Sequence, residues 1–132
     1  MNLEAIEPIK PLGVKKVSCD SHEAVFTMPI EGNRNDKGTF FAGSQYSTVV
    51  LTGWYLCSHW ASEHGFGEKV AIKSGEVSYP KAALSNITVT AHFKEAPVKR
   101  PSGHLKAIVD IIARDETGEV VCTFLADYRI LQ

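Results

Sequence analysis

Apolar and polar residues alternate with a period of two at both ends of this chain, and that rhythm is broken only in the middle, where bulk spreads over a long uncharged stretch. Gly13 to Asp20 reads as a short strand. After the turn-forming pair Asp20-Ser21 the next stretch places His22, Ala24, Phe26, Met28 and Ile30 on one face, which predicts a hairpin. Glu31 to Gly38 is polar and rich in turn formers, so the chain leaves the sheet there in a long loop. Gly43-Ser44 offers a helix start, with Ser44 as the expected N-cap, and His64-Gly65-Phe66-Gly67 the stop.

The helix so predicted carries Tyr46, Val49, Val50, Leu51, Trp54, Tyr55, Leu56, Cys57, Trp60 and Ala61, which leave almost no face polar. It must be covered on most sides. Gly53 within it costs about 1 kcal/mol against Ala, a cost that makes sense where another backbone crosses close by. Trp54 and Trp60 read as core packing. From Lys69 the period of two returns, through Tyr79, then at Ile87, Val89, Ala91 and Phe93. Pro97 to Gly103 interrupts it, and Leu105, Ala107, Val109, Ile111 and Ala113 resume it. The turn Asp115 to Glu119 leads into Cys122, Phe124, Ala126, Tyr128 and Ile130.

Two strands, one helix apolar all round, and a run of long strands predict an α+β fold. An antiparallel sheet of five or six strands wraps around one long central helix, the hotdog architecture in outline, as a single domain over residues 1–132. Such a sheet leaves an edge strand open, and pairing it with a second copy predicts a homodimer or a dimer of dimers.

Composition narrows the partners. Lys and Arg number 14 against 15 Asp and Glu, so a net charge of −1 supplies no field toward nucleic acid or an anionic membrane. Residues 39–62 hold no charged side chain, yet Gln45, His59 and several hydroxyls make insertion into a bilayer costly, and a buried helix is expected instead. Cys19, Cys57 and Cys122 are odd in number and widely spaced, and the acidic N-terminus lacks the marks of a signal peptide; the expectation is a cytoplasmic protein. His59 and His64 stand five apart, not the four of a metal-binding pair, so no metal is expected. Residues 42–46 do not satisfy G-x-S-x-G, and Ser44 is not an elbow nucleophile.

Residues 35–44, Asn-Asp-Lys-Gly-Thr-Phe-Phe-Ala-Gly-Ser, resemble the Asn-x-x-Gly-x-x-His-Gly-Gly signature of hotdog-fold thioesterases. The likeness extends further. Pro8 to Val14, Met28-Pro29-Ile30, the Asn33/Asn35/Gly38-Thr39/Ala42-Gly43-Ser44 pattern and Gly53-Trp54 together resemble the thioesterase-like domain at the C-terminus of YiiD-type acyltransferases. Ser78-Tyr79-Pro80 is similar to the aromatic-x-Pro region that lines the acyl pocket in that family. The resemblance implies an enzyme acting on thioesters of coenzyme A or acyl carrier protein, with two sites at the interface of a dimer. The carrier enters as part of the substrate, and no separate cofactor is implied.

A thioester carbonyl gains negative charge as it reacts, so preset donors at that oxygen are the largest catalytic term. The resemblance assigns them to the amides around Gly43 and Ser44 at the positive end of the helix, with the Asn35 carboxamide opposite. Asn33, Thr39, Phe41 and Tyr79 fall to substrate binding, with Phe40, Phe41 and Tyr79 setting acyl depth. Lys81, Lys99 and Arg100 are the cations available to phosphate.

Phe41 replaces the family's His, Ala42 its first Gly, and Val50 stands where many relatives carry a catalytic Asp. Hydrolysis then lacks its usual base, for which Asp36, Glu31 and Glu76 are the substitutes in sequence. Decarboxylation of malonyl-ACP to acetyl-ACP needs only the oxyanion hole, and it is the reaction expected first. An acyl thioesterase and a non-catalytic acyl-thioester-binding module remain as alternatives.

Overall fold

The computed structural model describes residues 1–132. A 3₁₀ turn at Leu3–Ala5 and one turn of helix, α1 (Ile9–Leu12), lead into the hairpin of β1 (Lys15–Cys19) and β2 (Glu23–Met28). The long helix α2 (Ala42–Glu63) follows. Then come β3 (Val70–Ser78), β4 (Ile87–Phe93), the two-residue β5 (Val98–Lys99), β6 (Leu105–Arg114) and β7 (Val120–Ile130). The sheet order is β1-β2-β4-β6-β7-β3, antiparallel at every pairing, with β5 added beside β6.

Alternation explains the core. Ala24, Phe26 and Met28 of β2, Ile87, Val89 and Ala91 of β4, and the odd-numbered residues 105–113 of β6 are all buried. Cys122, Phe124, Ala126, Tyr128 and Ile130 complete the same face on β7, and α2 lies across it. This is the hotdog arrangement, with α2 in the place of the filling. Polar groups that α2 carries inward are satisfied locally: Thr48 and Thr52 donate to the carbonyls of Ser44 and Thr48, and Ser58 to that of Glu68.

Three details differ from the sequence expectation. The sheet has seven strands rather than five or six, because Val98 and Lys99, inside the expected break, pair with Lys106 and Leu105. The helix starts at Ala42 and its cap is Phe41, not Ser44; the Phe41 carbonyl accepts from both Ser44 N–H and Gln45 N–H and so closes the first turn three residues early. Gly53 is a packing glycine, but side chains rather than a backbone close on it: a Cβ there would meet the Tyr128 hydroxyl at 2.5 Å and Ile111 Cδ1 at 2.7 Å.

Trp54 and Trp60 are half-buried. The Trp54 indole N–H donates to the Val70 carbonyl at 2.8 Å, and Trp60 stacks on His64. Strand β3 pairs only with β7, so its other edge presents unpaired backbone over nine residues. No helix is long and apolar enough to cross a membrane.

Candidate functional site

The loop between β2 and α2 is a cage of backbone and carboxamide bonds. Asn33 N–H donates to the Ile30 carbonyl, Asn35 N–H to that of Thr39, and Phe41 N–H to that of Asn33. Asn35 Oδ1 accepts from the backbone N–H groups of Lys37 (2.9 Å) and Thr39 (3.1 Å), while its Nδ2 donates to Thr39 Oγ1 at 2.8 Å. Gly38 closes this turn at a φ of 78°, a conformation open to glycine. Phe40, buried, donates its N–H to the Ala83 carbonyl and pins the far side. Asn35 and Thr39 thus form one unit, half-buried, with one Nδ2 hydrogen free to face a ligand.

Asn33 has another task. It is buried, and its Nδ2 donates to the carbonyls of Leu12 and Pro29, both at 2.9 Å, which joins the loop to α1 and to the end of β2. Both amide hydrogens are taken. The expectation that Asn33 contacts substrate gives way to a structural tie.

The helix end is the polar centre of the site. Of the first four amides of α2, those of Ser44 and Gln45 bond to the Phe41 carbonyl, whereas those of Ala42 and Gly43 donate to nothing in the chain. The free pair is therefore one residue earlier than the Gly43 and Ser44 amides that sequence pointed to. No side chain caps the helix, so these two N–H groups and the positive end of 22 aligned peptide dipoles stay available to an anionic oxygen. The Phe41 ring, 53% exposed, folds over Gly43: a Cβ there would sit 2.5 Å from Phe41 Cε2. Ser44 is buried in the same turn and its hydroxyl caps nothing.

Tyr79 reaches this end from beyond β3. Its hydroxyl donates to the Ala42 carbonyl at 3.0 Å, and partial burial raises its pKa. Tyr46, one turn into the helix, sets its ring edge-to-face on Phe124 at 5.4 Å. Lys81, in the loop after β3, is ion-paired with Glu119 at the same end of the sheet. Lys99 and Arg100 are not brought here. They lie beside the start of β6, which pairs with the end of β7 and so with the start of β3, at the C-terminal end of α2. The 22 residues of α2 put that end about 33 Å away.

The carboxylates proposed as bases are elsewhere too. Glu76 is opposite Leu125, between the inward residues Gly75 and Val77, and shares the outer face of the sheet with Asp110 and Ile112. Glu31 is 86% exposed and paired with Arg34, and Asp36 is 87% exposed and paired with Lys37, which holds its carboxyl below the usual range. Val50 faces Ile9 and Leu12 across an apolar cavity.

One residue escaped the sequence reading. Gln45 is buried beside Ser44, and its Oε1 is the one buried side-chain polar atom without a hydrogen-bond partner. An uncharged polar residue in the first turn of an otherwise apolar helix was the available signal.

The family model described as "Putative thioesterase (yiiD_Cterm)" matches residues 4–130. Among solved structures, a putative thioesterase from Shewanella oneidensis superposes with a TM-score of 0.82 at 19% identity, covering 96% of this chain and 89% of its own. A thioesterase from Haemophilus influenzae gives 0.79 at 14% identity over 100% and 94%. A putative esterase from Mycobacterium tuberculosis gives 0.81 at 13% over 94% and 95%. These likenesses carry the fold.

Proposed function

The chain belongs to the thioesterase family whose model is the YiiD C-terminal domain, and from that membership we propose that it acts on acyl thioesters of coenzyme A or acyl carrier protein, decarboxylating a malonyl thioester to its acetyl form. The observation that carries this reading is the pair of free amides at Ala42 and Gly43. The thioester oxygen accepts from these two N–H groups. Asn35, oriented by Thr39, offers its remaining Nδ2 hydrogen to the substrate.

In the reaction the bond from the α-carbon to the carboxylate breaks, carbon dioxide leaves, and the electron pair moves into an enolate whose charge rests on the held oxygen. A proton from water or Ser44 then completes the acetyl group. No base takes part, in keeping with a valine at position 50. A second copy pairing along the open edge of β3 is part of the proposal, since nine residues of unpaired strand otherwise meet solvent.

Hydrolysis of an acyl thioester is the second reading, favoured by an apolar cavity along α2 that a malonyl group does not need. Mass spectrometry of malonyl, acetyl and medium-chain thioesters on both carriers, with wild type and Asn35→Ala, separates the two. Conversion of malonyl to acetyl thioester, lost in Asn35→Ala, is the expected result. Free acid instead means hydrolysis, and an unchanged panel means a binding module.

A further inference from the structure

The inward face of α2 carries polar side chains that the fold satisfies one by one, with a single exception. Thr48 and Thr52 donate to carbonyls one turn back, and Ser58 donates to the Glu68 carbonyl. Gln45 is 3% exposed, and its Oε1 has no hydrogen-bond partner. An apolar side chain in its place would avoid a cost of about 1–3 kcal/mol, so an acceptor kept there points to a donor that arrives from outside the chain.

The lean of the side chain says where that donor sits. A helical side chain tilts toward the N-terminus and lies over the preceding turn, so Gln45 reaches back over Phe41 and Ala42, whose turn its own N–H closes by donating to the Phe41 carbonyl. Three residues of helix rise about 4.5 Å, a span within a glutamine's reach. The free amides of Ala42 and Gly43, which hold the thioester oxygen in the reading above, belong to that same turn. A donor on Oε1 is therefore a neighbour of the reacting carbonyl and its α-carbon.

The chemistry selects the donor. A malonyl carboxylate, a thioester carbonyl and the enolate formed from them all accept hydrogen bonds, and none answers an oxygen that lacks a donor. Water does. Two other hydroxyls stand at this end of the helix, and neither suits the task of an acid. The Tyr79 hydroxyl already donates to the Ala42 carbonyl. Ser44, buried, would be left an alkoxide, the charged form that burial penalises.

We propose that Gln45 is a positioning residue for the proton: its Oε1 accepts from a water whose second hydrogen is aimed at the α-carbon of the bound enolate. The proposal rests on the decarboxylation reading and deepens it by naming the source of the proton. Loss of carbon dioxide leaves an electron pair shared between the α-carbon and the held oxygen. That pair takes a proton from the water, whose O–H bond breaks, and the hydroxide left behind adds to carbon dioxide to give bicarbonate. The sum is malonyl thioester carboxylate plus water to acetyl thioester plus bicarbonate. Until the proton arrives the enolate can recapture carbon dioxide, so a water held in place decides how often the first step is kept.

The test follows that partition in the full chain, with malonyl thioester on whichever carrier the wild type turns over faster, in buffer holding isotope-labelled carbon dioxide and bicarbonate. Mass spectrometry reads the ratio of label returned to malonyl thioester against acetyl thioester formed. Gln45→Met and Gln45→Leu, which remove the acceptor, are each expected to lower kcat and to raise that ratio about tenfold, the worth of one hydrogen bond. Gln45→Glu, which keeps an acceptor of the same reach at the positive end of the helix, is expected to bring the ratio back toward wild type. Thermal melts verify that each variant is folded, and the two apolar variants guard against one failing. A ratio unchanged in both apolar variants overturns the proposal and leaves decarboxylation standing; a KM that rises alone then assigns Oε1 to an amide of the carrier arm. A ratio that rises in Gln45→Glu as much as in Gln45→Met also overturns it, because the effect is then one of packing. Wild type that consumes no malonyl thioester overturns both the proposal and the reading beneath it.

Discussion

The hydroxyl of Tyr128 donates to the Val50 carbonyl at 2.7 Å, and the same oxygen sits 2.5 Å from where a Cβ on Gly53 would be. One side chain of β7 thus ties α2 to the sheet and demands that the helix be bare beneath it. The tyrosine is buried, which pushes its pKa well above the ordinary value, so the hydroxyl remains a donor throughout the working range of pH. Gly53→Ala should gain about 1 kcal/mol of helix propensity and lose about 1–3 kcal/mol to overpacking. The expected net is a loss of about 1 kcal/mol in urea unfolding. Adding Tyr128→Phe removes the nearest clashing atom but leaves Ile111 Cδ1 at 2.7 Å, so a double-mutant cycle should show partial relief.

Asn33 and Asn35 are two residues apart and do different work. Asn33→Ala leaves the carbonyls of Leu12 and Pro29 without their donor, and should cost about 2 kcal/mol by thermal or urea unfolding. Asn33→Asp should be no milder, because it turns an acceptor toward two carbonyls. Asn35→Asp keeps the Oδ1 that holds Lys37 N–H and Thr39 N–H, so its unfolding midpoint should stay near wild type while thioester turnover falls. Equal losses of stability in the Asn33 and Asn35 variants would overturn this division.

The strand faces were legible because alternation is local: every second residue from Leu105 to Ala113 is buried, as the pattern alone requires. Gly53 was legible as a cost needing a reason, but not the reason, since Tyr128 is 75 positions away in a strand whose register no local pattern sets. The helix start was misplaced because Ser44 is a good cap by type, whereas the Phe41 carbonyl, fixed by the loop behind it, decides where the first turn closes. Lys99 and Arg100 were grouped with the site by chemistry alone, and only the pairing of β5 with β6 puts them at the other end of α2. Glu76 was a base by type, and the pleat turns it away from the helix.

At the far end of α2, the Glu63 carboxylate accepts from the Ser21 hydroxyl and pairs with His59 at 2.9 Å; chiefly the first contact holds its pKa below the ordinary carboxylate range. A carboxyl whose folded pKa is depressed contributes stability that is complete above its unfolded pKa and is lost as pH falls through the folded value. The difference in melting temperature between wild type and Glu63→Gln should therefore be fully present above the ordinary carboxylate range and close as pH is lowered below it. A gap that widens on acidification would contradict it.

Gln45 tests whether the helix end is built for stability or for a ligand. Its Oε1 is buried with no donor in reach, a cost of about 1–3 kcal/mol that an apolar side chain of similar shape avoids. Methionine is nearly the same length, flexible, and without the carbonyl. If the oxygen serves only the fold, Gln45→Met should raise stability and leave turnover alone. Its place in the turn with the free Ala42 and Gly43 amides argues for a role toward the bound thioester, so the expected outcome is a melting temperature several degrees higher with kcat/KM reduced. Paired melts and steady-state rates on one preparation decide between them, because a variant that gains stability while losing turnover cannot owe that loss to unfolding.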